Sequence, residues 1–246
     1  MNKTLNIKGS KIVITILTIS LVLLSSTVTF ATENSTQLDT EGETKVLTMD
    51  ISNEELVSQK VAEAFEDENI SHVRVIDPTL MEENQIDEKL PTPIIKPLAT
   101  VGFLYRATNV KKAPDYIGKT VKAKTSGDPG TKISISEQKT IGCTFSASIG
   151  ITSKHVTAAV GFNVTGSRSL SISGAYKVPK KKKVNNKYKF VKKGYLEART
   201  LYAVKKFDTE RKKVVNGVPG GAWQKYGSGT AKEPYGFDYH AYVTYK

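Results

Sequence analysis

The sequence predicts an all-β protein, an antiparallel sandwich or elongated β-meander preceded by a short acidic helical leader. Three observations predict it. Several runs alternate apolar and small polar residues with the period of two that belongs to strands. Clusters of Gly, Pro, Asn and Asp separate those runs as turns do. Charge is also divided along the chain: residues 32–98 carry a net −11 and residues 99–246 a net +20, within a total of +12 over 246 residues. An acidic segment before a basic one points to two parts with different work to do.

In chain order, residues 1–31 read as a secretory signal peptide. Lys3, Lys8 and Lys11 form its basic start, Ile12 to Leu24 its apolar run of 13 residues, and Thr29-Phe30-Ala31 its cleavage site. That run is too short for a stable spanning helix. The expected product is secreted, extracellular or associated with the cell envelope. Cys143 is the only cysteine, so no internal disulfide is expected, and it reads as a small buried residue.

Residues 32–98 form the acidic leader or propeptide. Thr32 to Lys45 is polar and expected to be unfolded. Ser52-Asn53-Glu54-Glu55 fits a capping box with Ser52 as N-cap, opening a helix from about Asn53 to about Asp67 with Leu56, Val57, Val61, Ala64 and Phe65 on one face. Val73, Val75 and Ile76 make a short strand. Pro91, Pro93 and Pro97 then mark a stiff linker in which a protease would free the basic part.

Residues 99–246 are the basic all-β domain. Val101 to Thr108 and Lys119 to Thr125 read as strands, and Ser126 to Gly130 as a turn. Four alternating runs follow. Ile133 and Ile135 lie in the first, Phe145 to Ile151 form the second, Val156 to Val164 the third, and Leu170 and Ile172 lie in the fourth. After Pro179, residues 180–186 read as a polar crossing. Tyr188 to Val191, Tyr195 to Phe207, Ala222 to Tyr226 and Tyr235 to Tyr245 complete about ten short strands, with turns at Asn216-Gly217 and Pro219-Gly220-Gly221. No helix is expected after Ala99.

No enzyme is expected. The eight carboxylates from Asp115 to Asp238 offer no pair for acid–base work. His72, His155 and His240 lie far apart without ligand spacing, so no metal site or cofactor is read. The functional lead is the basic surface: Lys180, Lys181, Lys182, Lys183, Lys192, Lys193, Lys205, Lys206, Lys212 and Lys213, interleaved with Tyr188, Phe190, Tyr195, Tyr202 and Phe207. Outside a Gram-positive cell such a surface would bind anionic cell-wall polymers or lipid head groups; no specific nucleic acid is read. A second reading takes Phe145, Ile149, Ile151, Val160 and Phe162 as the lipid face of a membrane hairpin with Lys154 and His155 at its tip. Its two arms, Phe145 to Ile151 and Val156 to Val164, are seven and nine residues long.

The run from Val160 to Lys183, followed by Leu196-Glu197-Ala198 and Phe207-Asp208, resembles a group of exported Firmicute β-rich proteins of unknown function, from about Gly142 onward. More faintly, the Ser/Thr alternation ending in Val178-Pro179 is similar in pattern to the elongated strands of aerolysin-like pore-forming toxins. That likeness implies a secreted toxin that is activated by removal of its acidic leader and oligomerises on membranes as a homo-oligomer. Neither resemblance assigns site residues.

Overall fold

The computed structural model describes residues 42–81, 101–148 and 150–246. The expected signal peptide, residues 32–41, the proline-rich stretch expected to hold a cleavage region, and Ile149 lie outside the described residues.

The fold class is borne out: the chain is mostly β. Its strands are β1 (Glu43–Thr48), β2 (Ile70–Ile76), β3 (Val101–Gly127), β4 (Lys132–Gly142), β5 (Thr144–Ala147), β6 (Ser167–Lys177), β7 (Lys181–Val184), β8 (Lys187–Val215) and β9 (Val218–Tyr245). Among the described residues two α-helices accompany them, α1 (Glu54–Ala64) and α2 (Ser153–Val160). The large sheet has the order β1-β2-β9-β8-β3, with β5 added to β9 and β7 to β8; β4 and β6 form a separate pair.

The ten short strands of the sequence reading resolve into seven among the described residues, β3 to β9, three of them much longer. β3, β8 and β9 are 27, 29 and 28 residues long. Local turn signals failed to break them because β-bulges absorb the irregular residues: the β3–β8 register shifts four times and the β8–β9 register four times, without parting the strands. Pro219-Gly220-Gly221 lies inside β9 for the same reason. The true reversals are two-residue turns whose central residues have positive φ. They are Asn185-Asn186 (51° and 61°), joining β7 to β8, and Asn216-Gly217 (49° and 79°), joining β8 to β9. The polar crossing expected at residues 180–186 is therefore a β-hairpin.

Part of the acidic leader is built into the sheet. β2 pairs antiparallel with β9, from His72↔His240 to Ile76↔Gly236, and β1 pairs parallel with β2. Glu43 to Lys45, expected to be unfolded, are the start of β1. Helix α1 starts one residue later than its sequence cue: Asn53, not Ser52, caps it, the Asn53 side-chain oxygen accepting from the Leu56 N–H at 3.2 Å. Its Val57, Val61 and Ala64 are buried.

The main core lies between one face of the large sheet and a second layer of α1 and β4–β6. Val73, Val75, Leu196, Ala198, Phe237 and Tyr239 meet Ile133, Ile135, Leu170 and Ile172, and all are buried. This is the layered packing expected when two amphipathic faces must leave water. A smaller core beside it holds Val156, Val160, Phe162 and Val164 against Phe207 and Ala231.

The third alternating run is not a strand. Ser153–Val160 is the helix α2, and Phe162 and Val164 follow it in a loop. The stretch is ambiguous on paper. Val156 and Val160, four residues apart, fall on one face of a strand but also about one helical turn apart, and Ala158 and Ala159 favour a helix. The contact with Phe207 and Ala231 selects the helix. Gly161 ends it with φ of 80°, its N–H donating to the Thr157 carbonyl at 3.0 Å, a left-handed cap that suits glycine.

Candidate membrane-insertion segment and basic surfaces

Residues 143–166 connect β4 to β6, and they fold back onto the large sheet instead of forming a simple hairpin. β5 pairs with β9 from Thr144↔Lys232 to Ala147↔Gly229. The Ser148 hydroxyl donates to the Ser228 carbonyl at 3.2 Å. Lys205 donates to the carbonyl of Val160 at 2.9 Å, placing a cation at the C-terminus of α2, where the helix dipole favours one. Arg168, at the start of β6, bonds Glu233 on β9. Burial pushes the Glu233 carboxyl up, and the Arg168 guanidinium opposes that rise.

The β4–β6 ladder runs from Lys132↔Lys177 to Gly142↔Ser167 without a register shift. One further bond continues it, the Cys143 N–H donating to the Gly166 carbonyl at 2.8 Å. The chain then leaves the ladder, β5 to one strand and α2 to a helix. Of the sequence-read hairpin face, Phe145 is half-buried on β5, Ile151 half-buried in a loop, and Val160 and Phe162 buried on and after α2. Ile149 lies outside the described residues. Cys143 is half-buried, not fully so, and burial pushes its thiol up to about 11, which keeps it protonated.

The basic residues do not form one surface. Lys180 to Lys183, with Lys192 and Lys193, lie at one end of β8, and Lys212 and Lys213 at the other. Some 25 residues of strand at about 3.3 Å each separate Lys187 from Lys212, roughly 80 Å. At the first end Tyr188 and Phe190 are exposed at 68% and 60%, and Lys181 Nζ sits 4.6 Å from the Phe190 ring centre. A cleft of about 780 Å³ opens there, with Glu66, Asp67 and Glu68 on one wall and Lys132, Lys177 and Lys182 among its other residues. Burial lowers the Lys182 pKa, and Glu68 opposes that shift. In between, Lys206 is exposed, whereas Lys205 is occupied by α2.

One cluster was missed because its members are distant in sequence. The β2–β9 pairing sets His72 opposite His240, with ring centres 4.3 Å apart and planes within 2°. Asp238, buried, accepts from Arg74 and lies 3.0 Å from His72 Nδ1. Glu197, buried one strand over, accepts from the Tyr242 hydroxyl and pairs with Lys124 at 2.7 Å. Histidines expected to be far apart thus share one polar face of the sheet. Only the pairing of the leader strand with the last strand could have revealed it.

No protein-family model matches the chain, and no curated protein matches it. Among solved structures, it is similar to a Bacteroides vulgatus protein described as a "Putative pore-forming toxin", at a TM-score of 0.28 and 6% identity. The match covers 71% of this chain and 63% of that one. A likeness of that size bears on neither mechanism nor partners.

Proposed function

We propose that this protein is exported, non-enzymatic and membrane-active, and that residues 143–166 leave their own sheet to enter a bilayer as a β-hairpin. The observation that carries the reading is the register of β4–β6. Continuing it without a slip pairs Phe145 with Val164, Ala147 with Phe162, Ile149 with Val160 and Ile151 with Ala158. The alternate pairs are Thr144 with Thr165, Ser146 with Asn163, Ser148 with Gly161 and Thr152 with Thr157. The eight pairs named match like with like, one face apolar and the other small and polar; Ser153 opposite Val156 is mixed, and beyond it Lys154-His155 becomes a two-residue turn. A lipid-facing and a water-facing side are what a spanning β-hairpin needs.

The arms also reach. Cys143 to Ser153 and Val156 to Gly166 are eleven residues each, and a spanning strand needs about 9–11. A single hairpin would leave its edge N–H and C=O groups bare in hydrocarbon, so several copies must close a barrel. The partners in this reading are an anionic membrane surface and further copies of the same chain.

A disulfide tests it. Thr144→Cys with Lys232→Cys, in a Cys143→Ser background, ties β5 to β9 at a paired position, where cross-strand Cα atoms lie within disulfide reach. Dye-loaded liposomes containing anionic lipid should stay sealed with the oxidised protein and leak after a reductant is added. Equal leakage from both forms, or none from either at any dose, overturns the proposal. Tight binding without leakage would return the protein to a plain binder of anionic surfaces.

A further inference from the structure

The Asn216-Gly217 end of the long strands carries an exposed apolar and cationic surface that the stowed segment leaves uncovered. Val101, Phe103, Val215 and Val218 are exposed at 62%, 43%, 43% and 68%. The pairings Val101↔Val215, Phe103↔Lys213 and Val215↔Val218 set them together at the ends of three strands. Arg211 stands 4.8 Å from the Phe103 ring centre and 4.4 Å from that of Tyr226. Residues 101–106 and 211–226 contain five Lys and Arg and no carboxylate. Arg106 is paired with Glu210 and Lys225 with Asp208. Arg211, Lys212 and Lys213 have no ion pair among the described residues.

We infer that this end is the surface by which the protein docks on a membrane, its cations meeting anionic phospholipid head groups and its valines and Phe103 entering the interface. The inference rests on the reading that the chain acts on bilayers. Arg211, Lys212 and Lys213, which lack an ion-pair partner among the described residues although Glu210 adjoins them, suit an anionic partner. Valines at a hairpin tip call for an apolar medium, and offer nothing for a base or a sugar to stack on or bond. Together they fit the boundary layer of a bilayer.

Direction agrees with this. β5 runs antiparallel to β9 and therefore toward the Asn216 turn. β4 runs the same way: Ile133 lies by Gly127, and Ile141 lies opposite Arg168, which bonds Glu233, nearer that turn. A hairpin that lengthens β4–β6 thus grows toward the docked end. The stowed segment also touches the surface. Gly150, at φ of 101°, is packed so closely on the Tyr105 ring that a Cβ would lie 2.3 Å from it, and Tyr105 in turn neighbours Phe103 and Tyr226. Lipid entering beside Phe103 would disturb the contact that holds the segment's turn.

Docking can be measured apart from insertion, in the full chain locked by the oxidised disulfide above. The probe is sedimentation with vesicles of phosphatidylcholine alone or mixed with phosphatidylglycerol. Val215→Asn with Val218→Asn should lower partition to the mixed vesicles by roughly tenfold or more. Lys212→Gln with Lys213→Gln should lower it by about tenfold or more and flatten its salt dependence. Lys181→Gln, Lys183→Gln, Tyr188→Ser and Phe190→Ser together, at the opposite end, should leave it unchanged. The inference is overturned if the Val215/Val218 variant binds like the parent, or if the opposite-end variant carries the loss. It is also overturned if the Val215/Val218 change alters the oligomeric state in solution, which would make this end a contact between copies. A locked chain that binds, yet releases no dye on reduction, sinks the insertion reading and leaves docking standing.

Discussion

His240 shows how a single residue takes its character from strands far away in sequence. Burial is the main cause that lowers its pKa, and the neighbouring His72 adds to it. His155, beside Thr152 at the start of α2, is lowered by burial as well. In a group whose folded pKa is depressed, the unfolded chain takes up its proton first. The stability is then fully present above the ordinary value of about 6.5 and is lost as pH falls through the folded value. Melting temperature should therefore drop between about pH 7.5 and about pH 5.5, and His240→Gln should remove part of that drop. Thermal melts of both proteins at the two pH values check this; an unchanged slope in the variant would assign the pH dependence to other groups.

At the scale of elements, residues 153–164 are written for two structures. Their alternation is that of a strand, and Val156, Val160 and two alanines are also compatible with a helix. The helix wins in the folded chain because it places Val156 and Val160 against Phe207 and Ala231 and lets Lys205 meet its last carbonyl. In the insertion reading proposed above, Gly161 separates the folded form from the hairpin, since its positive φ serves the helix cap and has no part in a hairpin arm. Gly161→Ala should cost the stowed form about 1 kcal/mol while leaving the hairpin unharmed. That predicts liposome leakage about fivefold faster than in the parent, read from dye-release rates at matched dose; slower release would show that α2 itself is part of the working form.

Across the whole molecule, the acidic leader and the basic body share one sheet and one core. Removing β2 would expose the β9 edge, and removing α1 with its C-cap Phe65 would uncover Tyr176 on β6, whose ring lies 5.6 Å from that of Phe65. A cut within residues 91–100 should therefore leave residues 42–81 attached without a covalent bond. Size-exclusion chromatography of the cut protein should show both pieces in one peak, and a chain that starts at Ala99 should aggregate. Recovery of a stable, monomeric body alone would show that the leader is a removable cover.

By itself the sequence determined the all-β class, the helix α1, the turn at Asn216-Gly217, and the faces of β4 and β6, because these follow from residue period and local turn chemistry. It also held the alternation of Phe145 to Ile151 and Val156 to Val164 that makes them candidate hairpin arms. Tertiary structure alone decided the rest. It drew the runs of β3, β8 and β9 into long bulged strands, since pairing with a neighbour outweighs local breaks. It placed the leader strand on β9, which brought His72 to His240. It folded Val156 to Val160 into a helix, because packing arbitrates where two periods fit. And it divided one basic composition between the two ends of β8, since a strand as long as this one carries neighbours in sequence far apart in space.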